Sequence, residues 1–277
     1  MTAVSAPIAH KRAPAVSAGT VFGAALRAEW MKLRSVRSTV WSLLITMALT
    51  IGLGALFCAA RVSRWDRLDV GERLIFDPTG FSLNGIFLAQ LSLGVLGVLV
   101  MSSEYATGQI RATLAATPQR SLVLAAKVVV FTTVTLIVGL VSTFTVFFIG
   151  QSIFAAKHAG AGIGDPGVLR AVIGGGLYLA ALGAFAVGLA TILRRTAGSI
   201  ATLVGLLLIV PILVHFLPSS WSDHIAPYLP SEAGRSIFRV LPEDRTSLGP
   251  WAGFGVLCGY AAASLAAGLA LLTKRDA

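Results

Sequence analysis

Long apolar runs without a single charged side chain dominate the hydropathy pattern of this chain. Each of six such runs is long enough to cross the hydrocarbon core as a helix, which takes roughly 20 residues. They cover residues 39–60, 81–101, 128–150, 171–193, 197–217 and 250–273. Barrel strands would instead show alternating hydrophobicity over segments of about 10 residues. The pattern predicts an all-α polytopic membrane protein with six transmembrane helices, spans one to six; the third helix is predicted over 122–150 and the fourth over 168–193.

Two connections carry patterns of their own. Residues 21–38, before span one, are predicted to form an amphipathic helix lying in the membrane interface, because apolar residues recur there every three or four positions. Basic side chains lie off this stripe. The alternative is a positive flank that only orients span one. The apolar stripe comprises Phe22, Leu26, Trp30, Leu33 and Val36, and the basic residues include Arg27, Lys32 and Arg34.

The segment between spans two and three is predicted to hold a short helix. Gly108 releases the membrane helix, Ile110 and Leu114 share one face, and Pro118 ends the element. An ordinary loop with the same residues is the alternative at this point.

The connection 218–249 is long for a helix hairpin and rich in proline and aromatic residues. It is predicted to be an outer loop with short helices that dip into the interface, or else a plain solvated loop. Asn84 and Gln90 form the most polar strip within a span. They are candidates either for a translocation path or for hydrogen bonds between packed helices.

Composition narrows the class of protein. Hydrophobic residues make up 56% of the chain and charged residues 12%, which excludes a soluble globule. The net charge of +10 does not indicate nucleic-acid binding, because the basic residues flank spans, where orientation and anionic headgroups account for them.

The same charge distribution predicts the orientation. The net positive charge lies entirely on one side, in the tail (residues 1–20), residues 21–38, the connection between spans two and three, Arg194–Arg195 and the carboxyl end, so both termini are predicted to be cytoplasmic. The expected location is the plasma membrane of a bacterium.

Sequence motifs for independent catalysis are missing. The chain has no GxxxxGK[ST] phosphate loop, no HExxH zinc motif and no GxSxG nucleophile elbow. No catalytic residue, bound metal or bound cofactor is therefore predicted, and an enzyme acting alone is not expected.

The segment before span three resembles the signature of ABC-2 type permeases of ABC transporters. The residues that carry the resemblance are Glu104, Gly108, Ile110, Arg111, Leu114, Pro118 and Arg120, with Lys127 entering span three. The approach to span one, from Leu26 to Ser35, is similar to that of the actinobacterial branch of this family.

The resemblance implies a function. Residues 21–38 would be an interface helix, and the segment between spans two and three would be a coupling helix seated on a cytoplasmic ATPase. Glu104, Gly108, Arg111, Leu114, Pro118 and Arg120 would transmit the motion, while ATP and Mg would bind to the partner.

The implied protein is an exporter permease that moves an amphiphilic or hydrophobic substrate (a drug, an antibiotic or a lipid). A second copy or a similar permease would complete it in the lipid bilayer. The alternative is a membrane scaffold that recruits a cytoplasmic partner without transport.

Overall fold

The computed structural model describes residues 18–117, 119–241 and 246–274. Within these residues the chain is all-α, with no strand. Six helices are long and apolar enough to cross a membrane, which confirms the predicted class. They are Arg37–Ser63, Pro78–Ala106, Arg120–Ala155, Val168–Leu193, Thr196–His215 and Pro250–Lys274.

Two spans contain irregular turns. Span two comprises Pro78–Ser82, a 3₁₀ turn Leu83–Gly85 and Ile86–Ala106. Its start is capped by Asp77, whose carboxylate accepts from the Gly80 amide at 2.9 Å. Span five comprises Thr196–Val204, a π-helical turn Gly205–Ile209 and Val210–His215. The π turn lies just before Pro211, which has no amide hydrogen to donate to the helix.

The remaining elements are short or lie outside the spans. We call Ala18–Ser35 the amino-terminal helix and Gln109–Ala116 the linking helix. The predicted 1–20 tail lies largely outside the described residues. Other short helices are Trp65–Arg67, Val70–Leu74, Ser219–Ile225, Ala226–Tyr228, Pro230–Arg235 and Ser236–Phe238.

Span four lies at the centre of the bundle and is mostly buried, whereas spans one, five and six are exposed over much of their surface. Glycines in span four allow neighbouring elements to pack directly against its backbone. A Cβ at Gly174 would lie 2.6 Å from the carbonyl oxygen of Ile237, so any larger residue would force span four and the Ser236–Phe238 turn apart.

The two ends of the bundle differ, and we name them by the elements they hold. The proximal end carries the amino-terminal helix, the linking helix, the turn between spans four and five, and the end of span six. The distal end carries the connections after spans one, three and five. There the carboxylate of Asp77 accepts from the amide of Val240 at 2.8 Å, and Arg170 donates to the carbonyl of Ile237 at 2.8 Å.

Short helices occupy most of the described part of the 218–249 connection. The stretch Pro230–Phe238 packs against spans four and six and buries Ala233, Ile237 and Phe238. The Phe238 ring meets Tyr178 of span four edge-on, with centroids 5.3 Å apart. This half of the connection is therefore a folded part of the bundle's distal end.

Candidate coupling site at the proximal end

Four charged side chains from three elements meet at the proximal end. Lys127 Nζ lies 2.7 Å from Glu29 Oε2 and 2.9 Å from Glu104 Oε1. Lys32 Nζ lies 2.7 Å from Glu29 Oε1 and 2.8 Å from Glu104 Oε1. Each ammonium group thus contacts both carboxylates. We call Glu29, Lys32, Glu104 and Lys127 the ionic cluster.

The ionic cluster is largely withdrawn from solvent. Lys127 is 2% exposed, and Glu29 and Glu104 are each 4% exposed. Lys127 also donates to the carbonyl of Val100 at 3.3 Å. Removing such charges from water costs several kcal/mol per ion, which only close pairing offsets. The cluster therefore holds together only while all three elements stay in register.

Lys32 is the most exposed member of the cluster and remains charged. Partial burial acts to lower its pKa, but hydrogen bonds and charge from Glu104 and Glu29 outweigh burial and raise the pKa above its ordinary value. Glu104 Oε2, by contrast, is buried and has no hydrogen-bond partner among the described residues. The cluster thus keeps one unused acceptor.

The amino-terminal helix buries only part of its apolar stripe against the bundle. Leu33 is buried and packs into the core together with Leu26, but Trp30 is 49% exposed. The buried face is centred on Glu29 and Leu33, and from this face Glu29 reaches Lys127. Of the other predicted residues, Phe22 is half-buried, while Val36, Arg27 and Arg34 are exposed.

The linking helix is joined to span two by a glycine in the left-handed conformation. Span two ends at Ala106, and Gly108 has φ +72°, which few residues other than glycine adopt. Ile110 is buried in the core and Leu114 packs against it, while Arg111 points to the exposed side. The helix ends before Thr117, and Pro118 lies outside the described residues.

Arg120 is placed at the first position of span three and contacts span six. Its guanidinium donates to the carbonyl of Leu272 at 2.5 Å. Arg194 donates to the neighbouring carbonyl of Leu271 at 3.0 Å. Cations at the last carbonyls of a helix satisfy groups that have no intrahelical partner. The two arginines therefore fasten the end of span six to span three and to the turn after span four.

Sequence reasoning singled out Glu104 but did not pair it with Glu29, Lys32 or Lys127. One signal was available. Lys127 follows five apolar or small residues inside a predicted membrane helix, and a charge in that position needs a partner.

Asn84 and Gln90 lie away from the ionic cluster. Gln90 is buried, and its side-chain oxygen accepts from the hydroxyl of Tyr178 in span four. The Asn84 oxygen accepts from Arg239 at 3.2 Å, on the distal side. Both side chains form hydrogen bonds between packed elements.

Across the parts of the chain that the structure describes, no group of three or more His, Cys, Asp or Glu side chains is arranged to hold a metal ion.

Comparison with known proteins identifies the family. The sequence model of the ABC-2 family transporter proteins matches residues 25–210, from the amino-terminal helix into span five. The matched region includes the ionic cluster and the linking helix. No curated protein matches the chain. Permeases of this family generally work with a cytoplasmic ABC ATPase subunit. The chain thus belongs to the ABC-2 transporter family and is a multi-pass membrane permease subunit of an ABC transporter.

Proposed function

We propose that this chain is the permease of an ATP-driven exporter and that a separate cytoplasmic ATPase docks on the linking helix. The observation that carries the proposal is the ionic cluster, which ties the amino-terminal helix to the ends of the two spans that flank the linking helix. A push on the linking helix would therefore reach spans two and three together. ATP and Mg would be bound by the ATPase subunit.

The geometry suits the transmission of a small displacement. The linking helix is anchored in the core by Ile110 and is connected to span two through Gly108. Buried clusters of this kind favour discrete arrangements over continuous deformation, so a shift of one element repositions the others. Arg120 would extend the movement to the end of span six, through its bond to Leu272.

The proposed substrate is amphiphilic or hydrophobic: a drug, an antibiotic or a lipid. A second copy of the chain or a similar permease would complete the path. Spans one and five present apolar faces that no other described element covers, including Trp41 and Leu44 on span one and Ile209 and Leu213 on span five. These faces would meet the partner permease or membrane lipid.

Permease-dependent ATP hydrolysis is the test of this function. A candidate ABC ATPase would be assayed alone and in proteoliposomes with the permease, with and without candidate amphiphiles. We expect hydrolysis to need the permease and to rise with a transported amphiphile. A scaffold would bind the ATPase without this stimulation.

A matched pair of charge reversals tests where the ATPase docks. Arg111→Glu on the linking helix should lower the stimulation of ATP hydrolysis, whereas Arg73→Glu, also exposed but at the distal end, should not. Equal activity of the two variants would count against docking on the linking helix.

The proposed orientation places the proximal end, and with it both termini, in the cytoplasm of a bacterium. Single cysteines at Ser35 and Ser220, both exposed, report on the two ends in a C58A/C258A background. A membrane-impermeant maleimide should label Ser220→Cys in intact spheroplasts and Ser35→Cys only after lysis. The opposite pattern would place the linking helix on the wrong side for a cytoplasmic ATPase.

A further inference from the structure

Arg61 lies at the distal end of span one, at the edge of the hydrocarbon. It is the first charged residue after the uncharged run 39–60. Its guanidinium carbon lies 5.4 Å from the centre of the Phe76 ring and 5.8 Å from the centre of the Phe81 ring. Phe81 begins the uncharged run of span two. The guanidinium is therefore held at the level where both spans leave the hydrocarbon and meet the headgroups.

Aromatic rings position Arg61, but no acceptor satisfies it. The side chain is only partly buried, and its Nε is buried without a hydrogen-bond partner among the described residues. No ion pair joins this guanidinium to another residue that the structure describes. Ring faces attract a cation, yet they leave its N–H donors without an oxygen acceptor. Arg61 is thus a fixed cation whose donors lack a partner.

The acidic side chains of the same connection do not neutralise Arg61. Asp66 pairs with Lys157, whose Nζ is 2.6 Å away. Asp77 accepts from the amide of Val240 at 2.8 Å. The other two acids between spans one and two are exposed, and neither forms an ion pair within the described part of the chain. An acceptor for Arg61 would therefore have to come from another molecule.

Arg64 lies one helical turn beyond Arg61 and adds a second cation. It is exposed at the end of span one, and no described residue forms an ion pair with it. Side chains three positions apart on a helix are neighbours, so two like charges repel each other there. The carboxyl end of the helix reduces this repulsion but supplies no acceptor to the guanidinium groups. A phosphate would do both, because its charge and its oxygens match guanidinium.

Exposed apolar side chains lie close to this pair of arginines. The short helix Val70–Leu74 exposes the apolar residues at its two ends, at 73% and 79%, and Ile75, which follows it, is 76% exposed. Ile75 is next to Phe76, whose ring contacts Arg61, and span two begins three residues later. Large apolar side chains that are this exposed mark an interaction surface. Their combination with cations at the membrane boundary is typical of binding to anionic lipid.

We infer that the distal end of span one binds the phosphate of an anionic membrane phospholipid. Arg61 and Arg64 donate to the phosphate oxygens, and the two phenyl rings keep the Arg61 guanidinium in place. Leu74 and Ile75 enter the lipid interface beside this headgroup. The inference concerns the permease alone and depends on neither transport nor the ATPase. The proposed orientation decides only that the leaflet is the outer one.

Lipid titration followed by native mass spectrometry tests the site. The full chain, purified in detergent, would be titrated with phosphatidylglycerol or with phosphatidylcholine that carries the same acyl chains. We expect the first phosphatidylglycerol to bind about tenfold more tightly, because the choline group cancels the charge of the phosphate. Equal affinity for the two lipids would overturn the inference.

Matched variants separate a defined site from attraction by net charge. Arg61→Gln should weaken the binding of the first phosphatidylglycerol about tenfold, the scale of a lost charge-assisted hydrogen bond. Arg64→Gln changes no buried contact and should also weaken it, so the test does not depend on how well Arg61→Gln folds. Arg67→Gln removes the same charge from the same connection, but Arg67 is exposed and contacts no aromatic ring among the described residues, so this variant should bind like the wild type. Equal losses in all three variants, or wild-type binding in both Arg61→Gln and Arg64→Gln, would refute the site.

Soluble glycerol 3-phosphate distinguishes a lipid from a free phosphate ester. It carries a phosphate but no acyl chain, so an excess of it should leave phosphatidylglycerol bound. Displacement by glycerol 3-phosphate would assign Arg61 to a soluble ligand and would contradict the lipid assignment.

Fluorescence quenching tests the apolar part of the site. Leu74 and Glu72 are roughly 200° apart around the short helix, on opposite faces. Each would be replaced by cysteine in the C58A/C258A background and labelled with a fluorophore, in vesicles that contain phosphatidylglycerol and a lipid with a nitroxide on its headgroup. The label at Leu74→Cys should be quenched more strongly than the label at Glu72→Cys. Equal quenching of the two labels would show that the apolar face does not enter the interface, against the inference.

Discussion

Lys127→Met is expected to destabilise the protein more than any other single substitution at the proximal end. The methionine keeps the length of the side chain but leaves Glu29 and Glu104 buried with only Lys32 to balance them. Removing one partner of a buried ion pair typically costs about 3–5 kcal/mol. We expect a large fall in the unfolding temperature of the purified protein, measured by tryptophan fluorescence or by loss of the monodisperse species on heating.

The control is Lys157→Met, which removes another lysine from an ion pair of similar length. Lys157 Nζ lies 2.6 Å from Asp66, but the Asp66 side chain is 79% exposed. Exposed pairs contribute little, so this variant should unfold close to the wild-type temperature.

A double variant tests whether charge balance is the cause. Lys127→Met combined with Glu104→Gln removes one charge of each sign and leaves Glu29 paired with Lys32 at 2.7 Å. We expect it to be less destabilised than the sum of the two single variants, the sign of direct coupling in a double-mutant cycle. Additive losses, or wild-type stability in Lys127→Met, would show that the ionic cluster does not hold the three elements together.

Gly108→Val is expected to uncouple the permease from its ATPase with little loss of folded protein. A Cβ at this position would meet no atom within 4 Å, so the substitution tests backbone conformation and not space. The left-handed conformation, φ +72°, costs an L-residue about 1–2 kcal/mol, and β-branched side chains tolerate it worst. A shift of that size changes a conformational equilibrium about tenfold. We expect ATP hydrolysis stimulated by the permease to fall accordingly.

Gly108→Asn is the matched control, because asparagine adopts left-handed backbone far more readily than valine. The asparagine variant should keep most of the stimulation, and both variants should insert and purify like the wild type. If asparagine and valine reduce coupling equally, the glycine is needed for some property other than its backbone angle.

Hydropathy predicted the spans well and their ends poorly. Span three was predicted over 122–150 but runs from Arg120 to Ala155, and span two begins at Pro78, before its uncharged run. The uncharged runs mark the part of a helix that suits hydrocarbon, whereas the helix continues as long as backbone hydrogen bonds and caps allow. Asp77, which caps span two, is itself charged and so lies outside any such run.

The ionic cluster shows why the sequence predicted only part of the candidate site. Periodicity sorts residues by hydropathy, so it placed Lys32 off the apolar stripe and gave no indication that Glu29 would be buried. Glu29 and Lys127 are 98 positions apart, and their pairing depends on how the amino-terminal helix rotates against spans two and three. That rotation is a tertiary property. Glu104 and Gly108 were found because they belong to one continuous segment.

The ionic cluster contains two ammonium groups and two carboxylates and is therefore neutral as a unit. Moving one elementary charge through the full transmembrane voltage costs about 2.3 kcal/mol per 100 mV, but a neutral group that moves as a body does almost no electrical work. A stroke that shifts the cluster intact would thus require the same energy in a polarised cell as in a depolarised one. The rate at which the nucleotide cycle moves this part of the protein would then not depend on the membrane potential.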